Sequence, residues 1–160
     1  MPCGGFLFEE SQKDSHLIPD MIKFYDIPVR DLSKIKQGAD FITPDGTVIG
    51  NNRLTRPAEP ARRYAYCSDT AYSEAILPLI EGADLLYHES TFADVDTARA
   101  KETGHSTAKQ AASIAKQAGV NKLVLGHFSA RYPNNQILLD EAKQIFPNTV
   151  LANEGLNVKL

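Results

Sequence analysis

Cysteine is scarce: Cys3 and Cys67 are the only two in 160 residues. They are far apart, which excludes a disulfide framework and a zinc knuckle and predicts a reducing, cytoplasmic setting. No apolar run approaches the ~18 residues of a membrane-spanning helix, so no membrane span is expected. The opening Met1-Pro2-Cys3-Gly4-Gly5 lacks the basic region and the apolar core of a secretory signal. Positive charge is not in excess either. Seventeen Lys and Arg stand against 20 Asp and Glu, for a net charge of −3, where a nucleic-acid binder usually shows a basic footprint. Internal repeats and low-complexity tracts are absent. So is a nucleophile triad, because Ser129 has no base at a recognisable spacing and Cys67 has no partner histidine.

What remains is the composition of a globular domain, 42% hydrophobic and 23% charged. A chain of this length buries roughly 68–70% of its unfolded surface. Charge is uneven, with Arg53, Arg56, Arg62 and Arg63 close together as a possible phosphate-binding stripe. Residues 6–9 read as a strand almost at the first residue. The stretch 14–61 is the least regular, with short helices expected at 20–25 and 31–37. A hairpin turn is expected at Thr43-Pro44-Asp45-Gly46-Thr47, with Asp-Gly at its tip, and a loop at 51–60. From residue 62 strands and helices alternate: strand 63–68, helix 73–81, strand 84–88, helix 94–102 stopped by Gly104. A helix capped by Ser106 or Thr107 and ended by Gly119 follows, then strand 122–125 and helix 135–145. Strands at 149–152 and 156–159 suggest a terminal hairpin around Glu154-Gly155. This alternation predicts an α/β layered fold.

Three clusters place polar groups just past apolar strands or at a helix start, where open α/β sheets keep their sites. Asp69, in Cys67-Ser68-Asp69-Thr70, reads either as a turn or cap carboxylate or as a bridge between cations about 3.5–4 Å apart. His127, in Gly126-His127-Phe128-Ser129-Ala130-Arg131-Tyr132, is a strand-end histidine or a metal ligand, with Ser129 and Arg131 as candidate phosphate contacts. His105, in Gly104-His105-Ser106-Thr107, is a loop histidine or a general acid facing a scissile phosphate. In His88-Glu89, His88 reads as structural. Glu89 is open between ligand and orienting carboxylate. His16 is expected to face solvent.

Taken in order, these segments resemble the ribonuclease Z family of the metallo-β-lactamase superfamily. Pro2-Cys3-Gly4-Gly5-Phe6-Leu7-Phe8-Glu9-Glu10 resembles a strand that follows a metal-binding histidine. Ser68-Asp69-Thr70 is similar to the family's Gly-Asp-Thr, and Tyr87-His88-Glu89-Ser90-Thr91-Phe92 to its His-Glu-Ala-Thr segment. Gly104-His105-Ser106-Thr107-Ala108 and the segment from Gly126 to Tyr132 match its last two motifs. The resemblance implies the C-terminal half of an αβ/βα sandwich across 1–160, with a protruding tRNA-binding arm at 14–61. Within that arm Lys34 and Lys36 would be phosphate contacts, although Val29-Arg30-Asp31 departs from the family's glycine–proline-rich tip. Asp69 would be shared by two zinc ions, His127 would be a terminal ligand of one, and His105 would act at the scissile phosphate. The implied substrate is precursor tRNA, cut at its 3′ trailer, and the implied complete enzyme is a homodimer.

The family's His-x-His-x-Asp-His motif is missing from this sequence. Asp69 and His127 fall short of the three or more protein ligands a hydrolytic zinc keeps. The expectation is therefore part of a longer enzyme, inactive alone and without tightly held zinc. The alternatives are another phosphodiesterase or hydrolase of the superfamily, and a non-catalytic RNA-binding half-domain.

Overall fold

The computed structural model describes residues 3–159; Met1 and Pro2, the latter part of the motif that opens the chain, lie outside them. It divides into two compact units, Met1–Glu10 with Arg62–Leu160, and Ser11–Ala61. Strand β1 (Gly5–Glu9) belongs to the first.

The Ser11–Ala61 unit is built from short pieces. Strand β2 (His16–Leu17) pairs antiparallel with β5 (Thr55–Arg56), and β3 (Phe41–Ile42) with β4 (Val48–Ile49). Helices α1 (Pro19–Phe24), α2 (Val29–Lys36) and α3 (Asn51–Leu54) complete it. Ile27, Ile35, Ile49 and Leu54 form its small core. The expected turn is present: the Thr43 and Thr47 hydroxyls both bind the Asp45 carboxylate. The expected loop at 51–60 is not what forms there. Asn51 donates its side-chain amide to the carbonyls of Ile35 and Ala39, at 2.6 and 2.8 Å. Its N–H is held by Asp40 at 2.7 Å. Leu54 is fully buried. These distant contacts stabilise one helical turn that local propensity does not favour. His16 is exposed on β2, as expected.

The larger unit resumes with β6 (Arg63–Cys67), α4 (Leu77–Ile80, entered through a 3₁₀ turn capped by Ser73), β7 (Leu85–Glu89) and α5 (Thr97–Thr103). Helix α6 (Ala108–Gln117), β8 (Lys122–Gly126), α7 (Gln136–Lys143) and β9 (Thr149–Leu151) follow. The sheet runs β1-β6-β7-β8-β9. Strand β1 is antiparallel to β6, and the other neighbours are parallel. The terminal hairpin expected at 149–159 is absent from the described residues. Strand β9 instead pairs parallel with β8 through the α7 crossover, and the Ala152 N–H still reaches the Leu125 carbonyl at 2.8 Å. Glu154-Gly155 does turn, but no strand follows it among the described residues.

Period-two alternation gives the sheet two unlike faces. Ala65, Leu86, Leu123 and Leu125 point toward α6 and α7 and are completely buried with Ala111, Ala112, Ala115 and Leu138. The alanines of α6 let the helix approach closely, and each buried leucine contributes roughly 1.5–3 kcal/mol. The register aligns Phe6, Tyr66 and Tyr87 on the other face, and Phe8, Tyr64 and Leu85 beside them. The rings of Phe8 and Tyr64 stack at 5.7 Å, and those of Tyr66 and Tyr87 at 4.7 Å. Phe6 and Phe8 nevertheless stay 61% and 56% exposed.

Within the larger unit the Arg63 guanidinium binds the carbonyls of Glu81 and Leu79 and lies 3.7 Å from Glu9.

Candidate metal centre

Because β6, β7 and β8 are parallel neighbours, their C-terminal ends deliver Asp69, Glu89 and His127 to one edge of the sheet. His105 arrives from the turn between α5 and α6. That turn is made by Gly104 in the left-handed region (φ 78) and by the His105 N–H bonding the Ala100 carbonyl at 2.8 Å. One ligand-type atom from each of Asp69, Glu89, His105 and His127 lies within 4.8 Å of the others.

The geometry is strained where function would need it. Asp69 and His127 have φ of 54° and 57°. A non-glycine residue in this region costs of order 1–3 kcal/mol and persists only where its surroundings hold it.

Glu89 is the centre of the network. Its Oε1 accepts from the Thr70 N–H at 2.7 Å and from His105 Nδ1 at 2.9 Å. Its Oε2 accepts from the Thr91 hydroxyl at 2.7 Å, the Ser106 N–H at 3.0 Å and the Thr91 N–H at 3.2 Å. Burial pushes this carboxyl up, but the hydrogen bonds from Ser106, Thr91 and His105 outweigh burial and hold it below its ordinary value. The Thr91 hydroxyl also lies 2.9 Å from His127 Nδ1. With its proton given to Glu89, that oxygen accepts from Nδ1–H. One ionised carboxylate thus orients both imidazoles, His105 directly and His127 through Thr91, and leaves each Nε2 without a hydrogen bond among the described residues.

This also decides what could hold a metal. Glu89 has both oxygens filled and is no ligand. Asp69 is exposed, with His105 Nδ1 3.5 Å from its carboxylate, and His127 is exposed, its Nε2 making no hydrogen bond among the described residues. Oxygen and imidazole donors at this separation fit a divalent metal, but two residues make only part of a hydrolytic ligand set. Beside Asp69 opens a cleft of about 560 Å³ lined by Ser68, Thr70, Tyr72, Thr103 and Gly104.

The remaining sequence candidates are placed less closely. The Ser129 hydroxyl accepts from the Arg131 N–H at 3.4 Å. The Arg131 guanidinium lies 3.5 Å from Asp96 and 5.3 Å over the Phe92 ring, on the flank of the site. Lys34 and Lys36 are exposed on α2, within the Ser11–Ala61 unit. His88 is fully buried, its Nδ1 bonded to the Glu89 carbonyl at 2.8 Å, in keeping with its structural reading. Thr91 is no site candidate in the sequence, although it stands at the threonine of the His-Glu-Ala-Thr-like segment, and that match is a signal that could have found it.

A family model described as a beta-lactamase superfamily domain matches residues 46–128. The curated ribonuclease Z of Bacteroides thetaiotaomicron is 58% identical over 160 residues, which is all of this chain and 51% of that protein. That of Porphyromonas gingivalis is 51% identical over 160 residues, all of this chain and 53% of that protein. The chain therefore spans about half the length of the curated relatives it matches. Among solved structures, the metallo-β-lactamase fold protein YhfI from Bacillus subtilis is similar. It is 28% identical with a TM-score of 0.56, over 74% of this chain and 46% of that one.

Proposed function

Because the chain belongs to the beta-lactamase superfamily, we propose that it is the C-terminal part of a zinc-dependent endoribonuclease that removes 3′ trailers from precursor tRNA. The observation that carries this reading is the convergence of Asp69, His105 and His127 around the hydrogen-bonded Glu89. The ribonuclease Z relatives, matched across the whole of this chain, supply the substrate. Two zinc ions per complete site, a cytoplasmic setting and a homodimer belong to the same reading.

Asp69, through its carboxylate, and His127, through Nε2, would hold the metal together with ligands from outside this chain. When bound, a divalent metal pair supplies Lewis-acid activation of water and of a phosphoryl oxygen. His105 works on the proton: with Nδ1–H held by Glu89, its doubly protonated ring would give the Nε2 proton to the leaving oxygen and be left as the neutral Nδ1–H imidazole. Ser129 and Arg131 would contact the flanking phosphate. In the Ser11–Ala61 unit, Lys34 and Lys36 would contact the tRNA backbone away from the cut, where basic side chains release counterions. The aromatic sheet face of Phe6, Phe8, Tyr64 and Tyr66 supports a missing half. Phe6 and Phe8 are exposed there beside the half-buried Tyr64 and Tyr66, and such a face is what a second packed layer would cover.

The test is cleavage of precursor tRNA by the complete protein, with zinc, against Asp69→Ala. The variant should lose activity by at least about 100-fold while its circular dichroism is unchanged. Wild-type protein that cuts a simple phosphodiester but leaves precursor tRNA intact would reassign the substrate to another hydrolase of the superfamily. Full tRNA cleavage by Asp69→Ala would overturn the metal assignment.

A further inference from the structure

The loop after β8 carries His127, Ser129 and Arg131, and Tyr132 fastens it to the segment that leads into α5. The Tyr132 phenol oxygen accepts from the Ala93 N–H at 2.8 Å and donates to Asp96 Oδ2 at 2.5 Å. Ala93 is completely buried, so its N–H needs that acceptor. The phenol proton is then directed to Asp96, because a carboxylate only accepts. The other oxygen, Asp96 Oδ1, lies 3.5 Å from Arg131 Nη1. One carboxylate thus engages two consecutive residues of the loop, one on each oxygen.

A second observation concerns where Asp96 stands. It occupies the N-cap position of α5, yet its side chain makes no capping hydrogen bond. An aspartate there ordinarily accepts from the first turn of its helix; this one is turned to the loop. The third observation is the place of the guanidinium. Its carbon lies 5.3 Å over the Phe92 ring, and the same ring meets His105 edge-on at 6.0 Å and 63°. Phe92 is buried and bridged to Thr107, so it is a rigid spacer between Arg131 and the candidate acid. The Asp96 contact, at 3.5 Å, is longer than a hydrogen bond. It steers the guanidinium without occupying its donors, and that planar fork of N–H groups suits a phosphate.

We propose that Tyr132 and Asp96 are positioning residues for Arg131: the phenol fixes the carboxylate, and the carboxylate and the Phe92 ring hold the guanidinium ready for the phosphate beside the one that is cut. Neither residue touches the substrate. The gain is preorganisation. A free arginine loses rotamer freedom when it grips a phosphate, and one already stacked and steered loses less.

This inference rests on the reading of Arg131 as a contact to the flanking phosphate, and the experiment separates the two. Steady-state cleavage of precursor tRNA by the complete protein is measured for wild type, Tyr132→Phe, Arg131→Ala and the double variant. A flanking phosphate is gripped equally in the ground and transition states, so both single variants should raise KM and leave kcat within about twofold. Arg131→Ala should raise KM at least about tenfold, the effect of withdrawing one charged hydrogen-bonding group. Tyr132→Phe keeps the ring and should raise KM about three- to tenfold, as couplings between neighbouring groups do. The double variant should be no worse than Arg131→Ala alone, because the phenol acts only through the guanidinium. Asp96→Asn, which still accepts from the phenol but lacks the charge facing Arg131, should behave as Tyr132→Phe does, and decides if that variant does not fold. Single effects that multiply in the double variant, or a loss in kcat at unchanged KM, overturn the positioning role and leave the Arg131 contact standing. An Arg131→Ala KM within twofold of wild type, or no cleavage of precursor tRNA by wild type, overturns the contact and the positioning role with it.

Discussion

Glu89→Gln swaps a buried carboxylate for an amide of the same shape, and the hydrogen-bond pattern fixes what that costs. The amide has one acceptor oxygen and one donating NH₂. If the NH₂ takes the place of Oε2, it faces the backbone N–H groups of Thr91 and Ser106, neither of which can turn away. If it takes the place of Oε1, it faces one backbone N–H, that of Thr70, and His105 Nδ1. The imidazole can answer by moving its proton to Nε2; the Thr70 N–H cannot. The second arrangement is therefore the cheaper. It leaves one N–H unsatisfied, at about 1–3 kcal/mol, and strips charge assistance from the remaining bonds, at about 1 kcal/mol more. The expected loss is about 2–4 kcal/mol. Urea unfolding of the purified protein at pH 7 reads it as a lower midpoint at unchanged slope. Long-range nitrogen-15 NMR should show the His105 proton moved from Nδ1 to Nε2. A loss under about 0.5 kcal/mol, or an unchanged His105 tautomer, would refute the claim that an ionised Glu89 organises the site.

Two further outcomes follow from the same physics. Thr107 and Gln110 cap each other at the start of α6, through the Gln110 N–H to the Thr107 hydroxyl at 3.2 Å and the Thr107 N–H to the Gln110 carbonyl oxygen at 2.9 Å. Thr107→Ala should cost about 1 kcal/mol in urea midpoint analysis and Thr107→Ser much less; equal losses would point to packing in place of capping. Acid should destabilise the fold in two steps, because both buried groups of β7 have folded-state values below their ordinary ones. Burial holds His88 neutral below 6.5, so its contribution is complete above 6.5 and is lost as pH falls through its folded value. Glu89 contributes in full above 4.5 and loses its contribution as pH falls through its own lowered value. Urea midpoints that rise on acidification from pH 6.5 to 5 would contradict this.

The strand–helix alternation after residue 62 is legible locally, because each stop is written in local chemistry. Gly104 and Gly119 end helices in left-handed conformations, and Thr107 begins one. Asp69, His105 and His127 were recognisable as candidates because each follows a strand or precedes a helix, the positions from which side chains enter a crevice. The failures are non-local. Residues 149–159 look like a hairpin to any local reading, yet β9 is taken by the free edge of β8, more than twenty residues earlier. Residues 51–54 form a helix only because Asn51 finds the carbonyls of Ile35 and Ala39.

The site divides along the same line. Sequence by itself determined which residue types stand at the strand ends, because that depends on local periodicity and turn chemistry. It also raised the expectation, from the missing His-x-His-x-Asp-His motif, that the ligand set here is only part of a hydrolytic zinc centre. Only the tertiary structure decided that Glu89 is a hydrogen-bond hub and no ligand, that Thr91 joins it to His127, and that Tyr87 fills the space above Gly126. Those roles arise from parallel neighbours β6, β7 and β8 meeting at one edge. Register between distant strands is set by burying one face of the sheet, and no short window of sequence contains it.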